Sequence, residues 1–159
     1  MNFRIGFGFD VHRLKEGLDF ALGGIIVPHS KGGLGHSDAD VLIHAICDAI
    51  LGAANLGDIG SNFPDNDPKY AGIDSKILLS SVMSFIREKK YELINIDSTI
   101  CLQKPKIASY ISQMQEVLAS CVGIDKGLVS IKATTTEHLG FVGREEGVSA
   151  YATVLINKI

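Results

Sequence analysis

The sequence has few of the features that mark secreted, membrane-bound or nucleic-acid-binding proteins. Its three cysteines, Cys47, Cys101 and Cys121, are odd in number and widely spaced, which argues against a disulfide framework or a zinc ribbon. Residues 1–6 lack the long apolar run of a signal peptide, and no stretch is long and apolar enough to span a bilayer. A net charge of −3 argues against a general nucleic-acid surface. We therefore expect a cytoplasmic protein without membrane or nucleic-acid partners.

The chain has 159 residues, of which 46% are hydrophobic, and this predicts a single domain spanning residues 1–159. We find no internal repeat, linker or low-complexity segment. Hydrophobic periodicity predicts strands over 3–11, 93–102, 128–133 and 147–156, a hairpin within 18–27, and helices over 38–53, 74–90 and 107–122. This order predicts an α+β sandwich: a mainly four-stranded mixed sheet with helices on one face, plus the small hairpin. Residues 28–35 are predicted to form a loop.

The first predicted helix carries Asp40, His44 and Asp48 at every fourth position, which stacks them on one helical face. Apolar residues fill most of the remaining positions, so this helix should be largely buried. A buried histidine between two carboxylates needs something to balance it. Either a metal ion or a hydrogen-bonded pair in the core would do so. Ser37 or Asp38 is expected to cap the N-terminus of this helix.

The first predicted strand alternates between an apolar face and a face with two glycines that ends in Asp10 and His12. The glycines leave room for something to approach the backbone closely. Asp10 and His12 point the same way, so they could bind one metal with His44 as the third ligand. Carboxylate and imidazole ligands suit Zn²⁺ or a neighbouring divalent metal, and three ligands leave a position open for substrate. A strand-end hydrogen bond between Asp10 and His12 is the alternative.

Several polar segments have the residue types that bind phosphates or polyols. His36 and Ser37 lie at the positive end of the first helix, where anions bind favourably. The loop over residues 56–68 is rich in carboxylates, which suit a polyol but also serve in ordinary turns. Near the C-terminus, residues 134–136 supply three threonine hydroxyls, and Glu137 could hold Mg²⁺. Phosphate roles for Lys31 and Lys106 compete with simple solvation of these lysines.

These weak motifs occur together in one order: Gly6 to His12, His36 to Ala45, Gly57 to Gly60, Phe63 to Pro68, Pro105-Lys106 and Lys132 to Glu137. The ordered set closely resembles the 2-C-methyl-D-erythritol 2,4-cyclodiphosphate synthase family, and the resemblance covers essentially the whole chain. Residues 102–104 vary in a pocket whose contacts are partly from the backbone. This departure concerns cytidine affinity and leaves the implied reaction unchanged.

The resemblance implies an enzyme of the non-mevalonate isoprenoid pathway, a phosphorus–oxygen lyase. Its substrate would be 4-diphosphocytidyl-2-C-methyl-D-erythritol 2-phosphate, whose 2-phosphate attacks the β-phosphorus to give the cyclic 2,4-diphosphate and CMP. It also implies a homotrimer whose sheets face the threefold axis, with active sites between adjacent subunits. An isoprenoid diphosphate in the central cavity is a further implied partner.

The resemblance also implies roles for individual residues. Asp10, His12 and His44 would bind Zn²⁺ or another divalent metal, and Glu137 would contact the Mg²⁺ or Mn²⁺ of the diphosphate. His36 and Thr135 would stabilise the transition state. The implied contacts to the methylerythritol phosphate and the metal site are Asp10, Val11, His12, His36, Ser37, Asp58, Ile59, Gly60, Phe63, Pro64, Asp65, Asn66 and Asp67. The implied contacts to cytidine diphosphate are Leu102, Gln103, Lys104, Pro105, Lys106, Ile107, Ala108, Ala133, Thr134, Thr135, Thr136 and Glu137. Phe141 and Arg144 would lie near the threefold axis and the phosphates.

Two other functional classes compete with this interpretation. A metal-dependent phosphohydrolase could use water as the nucleophile on the same metal ligands and would release inorganic phosphate or a ring-opened product. A non-enzymatic trimer could instead bind an isoprenoid diphosphate along its axis. An intact set of metal ligands argues against the second class, because a carrier needs no open metal site.

Overall fold

The computed structural model describes residues 2–64 and 66–159. Met1 and Asp65, the latter among the expected substrate contacts, lie outside the described residues. The strands are β1 (Phe3–Glu16), β2 (Phe20–Leu22), β3 (Ile25–Val27), β4 (Lys31–Leu34), β5 (Tyr91–Cys101), β6 (Val129–Thr134) and β7 (Gly147–Lys158). The helices are α1 (Val41–Ala54), α2 (Ile59–Asn62), α3 (Ser75–Glu88), α4 (Ile111–Val122) and α5 (Gly140–Gly143). Within these described ranges, no helix is both long and apolar enough to cross a membrane.

A mixed five-stranded sheet forms the centre of the fold, in the order β4-β1-β7-β5-β6. Only β5 and β6 pair in parallel; the other pairs are antiparallel. Strands β2 and β3 form the separate small hairpin. The α+β sandwich is confirmed, but the sheet has one strand more than expected. Strand β4 lies where the sequence predicts a loop, because its Gly32 and Gly33 hide the alternating pattern while pairing with Lys15 and Leu14 of β1.

The two faces of β1 have opposite surroundings. Its glycine face packs directly on α1: a Cβ atom added to Gly6 or Gly8 would lie within 2 Å of the carbonyl oxygen of Ala49 or Ala45, respectively. The sequence predicts that something approaches the β1 backbone at these glycines, and in the structure it is α1. On the other face, Ile5 is 73% exposed and Phe7 is 64% exposed. The helices thus cover one face of the sheet, and the aromatic face of β1 stays uncovered in the single chain.

The helix ends follow from the capping side chains. Asp40 caps α1 by accepting a hydrogen bond from the backbone N–H of Ile43, so the predicted caps Ser37 and Asp38 are wrong for this helix. Asp74 caps α3 by accepting a hydrogen bond from the N–H of Lys76. Helix α4 begins later than predicted, after a single 3-10 turn at Ala108–Tyr110.

Candidate active site and metal-binding group

Three side chains converge at the C-terminal half of β1 and the first turn of α1. The Nε2 atom of His12 lies 2.9 Å from Oδ2 of Asp10 and 3.0 Å from Nδ1 of His44. The same Oδ2 atom lies 3.0 Å from Nδ1 of His44. Asp10 and His12 are two residues apart on one face of β1, and His44 reaches them because the glycines of that face bring α1 close. The sequence-predicted set is therefore assembled in one place.

The charges in this group favour a cation. Burial raises the pKa of the Asp10 carboxyl, but the hydrogen bonds and charges of His12 and His44 outweigh that effect and bring the pKa down to about 2. Burial lowers the pKa of His44, yet its hydrogen bond to Asp10 and nearby carboxylate charges outweigh burial and raise it. Both shifts favour positive charge held among the three side chains.

A metal ion would supply that charge, and the atoms have suitable spacing for one. Ligand atoms about 2.1 Å from a small tetrahedral ion lie about 3.4 Å apart. The triangle of ligand atoms here has sides of 2.9 to 3.0 Å, within the reach of small side-chain rotations. Asp10, His12 and His44 could therefore bind a metal ion, and they are the one such group within residues 2–64 and 66–159.

The two carboxylates that flank His44 along α1 do not take part in this group. Asp40 is fully buried and accepts hydrogen bonds from the backbone N–H groups of Gly23 and Gly24, besides that of Ile43. Asp48 accepts a hydrogen bond from the N–H of Ile59. The hydrogen bonds of Asp40 thus connect α1 to the β2–β3 hairpin, and that of Asp48 connects α1 to α2. Of the residues at every fourth position, only His44 belongs to the site.

A cavity of about 190 Å³ opens beside the metal-binding group. Besides His12 and His44, its walls are His36, Ser37, Ile59, Gly60, Phe63, Tyr70, Ile73 and Leu78. The segment before α1 and the segment around α2 thus meet at one cavity. Asp58 caps α2 by accepting from the N–H of Ser61, and Asp67 caps the turn at Pro68–Tyr70 by accepting from that of Lys69. Both carboxylates have a turn-forming role in the single chain.

A second and larger cavity, of about 630 Å³, lies at the end of the sheet. Its walls are His29, the whole of residues 102–108, and residues 133–135. Among the described residues, none lines both cavities. One chain therefore presents two separate cavities: one beside the metal-binding group and one lined by residues expected to bind cytidine diphosphate.

Comparison with known proteins identifies the family. The sequence over residues 3–157 matches the model of the YgbB family. The chain belongs to the YgbB family. Full-length relatives of the chain have the name of the synthase family that the ordered motifs resemble, so that resemblance is confirmed.

Among curated YgbB relatives, the 2-C-methyl-D-erythritol 2,4-cyclodiphosphate synthase of Bacteroides fragilis is 62% identical over 159 residues, covering 100% of both chains. The synthase of Porphyromonas gingivalis is 62% identical over 154 residues, covering 97% of this chain and 95% of that protein.

Solved structures show the same YgbB fold. A synthase structure described as the CDP-bound form has a TM-score of 0.90 and 34% identity, covering 97% of this chain and 100% of the other. The bifunctional IspDF of Campylobacter jejuni has a TM-score of 0.96 and 41% identity. This chain covers 43% of that longer protein, with 99% of its own length aligned.

The loop after β6 in this YgbB chain has an unusual backbone. Glu137 and His138 both have positive φ angles, of 53° and 62°. The hydroxyl of Thr135 accepts from the N–H of Glu137 at 3.3 Å and lies 3.5 Å from its carboxylate. Non-glycine residues in this left-handed region are uncommon, and their strain often accompanies functional sites. In the single chain Glu137 is exposed and is not part of the Asp10 group.

Two cationic residues considered for phosphate binding, Arg144 and Lys31, have protein partners in this chain. Arg144 forms a two-bonded ion pair with Glu146, at 3.0 and 3.1 Å. The ammonium of Lys31 donates to the carbonyl of Glu145 at 3.1 Å. Phe141 on α5 is 42% exposed. These residues lie outside both cavities.

Sequence reasoning missed two residues behind His44. Ser75, the first residue of α3, is fully buried with its hydroxyl oxygen 2.9 Å from Nε2 of His44. That hydroxyl donates to Asp38. Asp38 carries a signal, since it lies in the polar run before α1, but nothing local marks Ser75. Ser75 reaches His44 only because α3 packs against α1.

Proposed function

We propose that this protein converts 4-diphosphocytidyl-2-C-methyl-D-erythritol 2-phosphate to 2-C-methyl-D-erythritol 2,4-cyclodiphosphate and CMP, in the non-mevalonate isoprenoid pathway. The observation that carries the proposal is the group of Asp10, His12 and His44 at the wall of a cavity that also contains His36 and Ser37. Full-length relatives with the synthase name, at about three-fifths identity, support the same reaction. In this scheme the enzyme is a phosphorus–oxygen lyase.

Asp10, His12 and His44 would hold Zn²⁺, since one carboxylate and two imidazoles suit zinc and leave its fourth position open. Glu137 would contact Mg²⁺ or Mn²⁺ carried with the diphosphate, because these ions prefer oxygen ligands. When bound, such metals supply Lewis acidity that offsets the charge of the reacting phosphates.

The chain itself needs no covalent nucleophile. An oxygen of the 2-phosphate forms a bond to the β-phosphorus, and the bond between that phosphorus and the oxygen bridging to the α-phosphorus breaks. The bridging oxygen leaves with CMP. His36 and Thr135 would donate hydrogen bonds to the charge that develops on the transferring phosphoryl group. Because both reacting groups belong to one molecule, binding them in one orientation removes much of the entropic cost.

The first cavity would hold the methylerythritol phosphate. Ser37, Ile59 and Gly60 line this small cavity, and Phe63 is one of its apolar walls. Asp58 and the loop residues 63–67 would bind the polyol hydroxyls, in addition to their turn-forming hydrogen bonds. Val11 would contact the substrate, because it lies between the two metal ligands of β1, Asp10 and His12.

The second cavity would hold the cytidine diphosphate. Its walls over residues 102–108 and 133–135 present mostly apolar surface with a few polar groups, which suits recognition of a flat base. Thr136, Glu137 and Lys106 would contact the phosphates. The structures of relatives described with CDP, one of them from Plasmodium falciparum, support this assignment.

A homotrimer would complete the active site by joining the first cavity of one subunit to the second cavity of its neighbour. Two observations support this assembly: the expected contacts divide between two cavities, and the aromatic face of β1 is exposed in the single chain. In the trimer the sheets would face the threefold axis. We further propose that the enzyme works in the cytoplasm.

An isoprenoid diphosphate would bind in the central cavity, near Phe141 and Arg144, as a regulator of the enzyme. Its addition should shift the melting temperature or change the turnover rate of the unmodified protein. If neither quantity changes, this part of the proposal is wrong.

Turnover in water enriched in ¹⁸O tests the reaction class. Intramolecular attack puts no solvent oxygen into either product, because the nucleophile is a substrate phosphate. The competing phosphohydrolase would place one ¹⁸O atom in a released phosphate or ring-opened product. Mass spectrometry of CMP and of the organic phosphate separates the two outcomes. One solvent oxygen per turnover would contradict the proposal.

A further inference from the structure

We infer that Asp38 and Ser75 position His44 as a metal ligand, by holding its Nε2–H in a fixed hydrogen bond while Nδ1 faces Asp10 and His12. Neither residue belongs to the expected site set. This inference rests on the metal site of the proposed function, and it adds two positioning residues that do not touch substrate.

The direction of the hydrogen bonds follows from Asp38. Its Oδ2 atom accepts from the backbone N–H of Ser75 at 3.0 Å, and its Oδ1 atom accepts from that of Asp40 at 3.2 Å. The carboxylate is therefore an acceptor, and the Ser75 hydroxyl donates its single hydrogen to Oδ1. The hydroxyl oxygen, 2.9 Å from His44, can then only accept from Nε2. The proton on the imidazole is thereby fixed at Nε2.

Ser37 occupies a different position around the same nitrogen. Its hydroxyl oxygen lies 3.1 Å from Nε2 and accepts from the N–H of Ala39 at 3.2 Å. Its own hydrogen has no committed acceptor among the described residues, so it can serve a ligand in the cavity. Ser75, which is fully buried, has no such access to the cavity. The two hydroxyls therefore divide the tasks of positioning His44 and contacting ligand.

This arrangement also links the site to the fold. The N–H of Ser75 is one of the unpaired donors at the start of α3, and Asp38 satisfies it from the segment before α1. The N–H of Asp38 in turn donates to the carbonyl of Ile73 at 3.1 Å. These hydrogen bonds fix the position of the start of α3 relative to the segment before α1, next to His44. Hydrogen-bond partners of this kind orient metal-binding histidines and raise their basicity.

The test measures zinc affinity, independently of turnover. The apparent Kd for zinc is determined by competition with a chromophoric chelator at fixed pH, on the unmodified protein, Ser75→Ala and Asp38→Asn. We expect each substitution to raise the Kd by about 10- to 100-fold. Ser80→Ala is the matched control: it also removes a hydroxyl from α3, but one that is exposed and bonded to the carbonyl of Lys76. Its Kd should stay within about twofold of the unmodified value.

A double-variant comparison separates positioning from general damage. Because Asp38 acts on His44 through Ser75, Ser75→Ala with Asp38→Asn should bind zinc about as weakly as Ser75→Ala alone. Asp38→Asn keeps the size of the side chain, so it remains informative if Ser75→Ala fails to fold. Affinities of folded variants within twofold of the unmodified protein would overturn this inference and leave the proposed function intact. No saturable zinc binding by the unmodified protein would overturn both.

Discussion

The two faces of strand β1 differ in both composition and surroundings. One face consists of small and ligand-forming residues, and α1 lies directly on its glycines. The other consists of large apolar residues, yet Ile5 and Phe7 are among the most exposed large apolar side chains of the described residues. Large residues usually indicate the core face of a strand, but here the small ones do. The glycine face therefore carries the metal-binding group, and in the proposed trimer the aromatic face would form the contacts between subunits.

The largest expected effect is on folding, from adding a side chain to the glycine face. In Gly8→Ala the new Cβ atom would lie 1.9 Å from the carbonyl oxygen of Ala45, so α1 and β1 must separate. Total stability of such a domain is about 5–15 kcal/mol, and we expect Gly8→Ala to remove most of it. Circular dichroism and urea unfolding measure the loss.

Gly52→Ala is the control for this substitution, since a Cβ atom at Gly52 in α1 meets nothing within 4 Å. Alanine should stabilise the helix there by up to about 1 kcal/mol. Equal urea midpoints for Gly8→Ala and the unmodified protein would show that the close packing of this face is not required.

The next effect concerns the ligands at the end of the glycine face. His44→Ala should abolish metal binding and lower turnover by at least about 10³-fold, equivalent to about 4 kcal/mol of transition-state stabilisation. Elemental analysis and a CMP-release assay measure the two losses on protein that remains folded. Asp48→Asn, one turn further along α1, should retain the metal because its carboxylate contacts Ile59 instead. Turnover by His44→Ala without bound metal would refute the role of this residue.

The sequence predicts the metal-binding group because all three ligands lie in short motifs whose spacing fixes their direction. It predicts the two faces of β1 as well, since strand alternation depends only on position. Strand β4 is missed because Gly32 and Gly33 have no side chains to alternate. Asp40 and Asp48 share the helical face of His44, but their hydrogen bonds go to Gly23, Gly24 and Ile59, which only the tertiary fold brings near.

A third effect should appear on the aromatic face. Phe7 is 64% exposed in the single chain, so Phe7→Glu should leave the folded subunit intact. In the proposed trimer the same change buries unpaired carboxylates and should produce monomers. Light scattering coupled to gel filtration gives the mass. Ile77→Glu is the matched control: Ile77 is 55% exposed on α3, and its substitution should leave a trimer. If Phe7→Glu remained trimeric, the aromatic face of β1 would not be part of the trimer interface.

The smallest effect is the part of the pH dependence of stability that comes from Asp10 on the glycine face. The pKa of Asp10 is about 2 in the folded, metal-free chain, below its usual value of 3.8. A lowered carboxyl pKa stabilises the fold above the unfolded value, and that stability is lost as pH falls toward the folded value. Between pH 5 and pH 3 the loss from this group should be about 1 kcal/mol. Urea unfolding in a chelator, with Asp10→Asn for comparison, measures it; an unchanged pH slope in Asp10→Asn would argue against the shift.

The most direct test of the account is phosphorus NMR of the purified protein with 4-diphosphocytidyl-2-C-methyl-D-erythritol 2-phosphate and Mg²⁺, before and after chelation and again after zinc is restored. The account predicts signals of the cyclic diphosphate and CMP that disappear on chelation and return with zinc. Free phosphate in place of the cyclic product would identify a hydrolase. An unchanged substrate spectrum, from protein shown to hold its metal, would contradict the assignment of this chain as a cyclodiphosphate synthase.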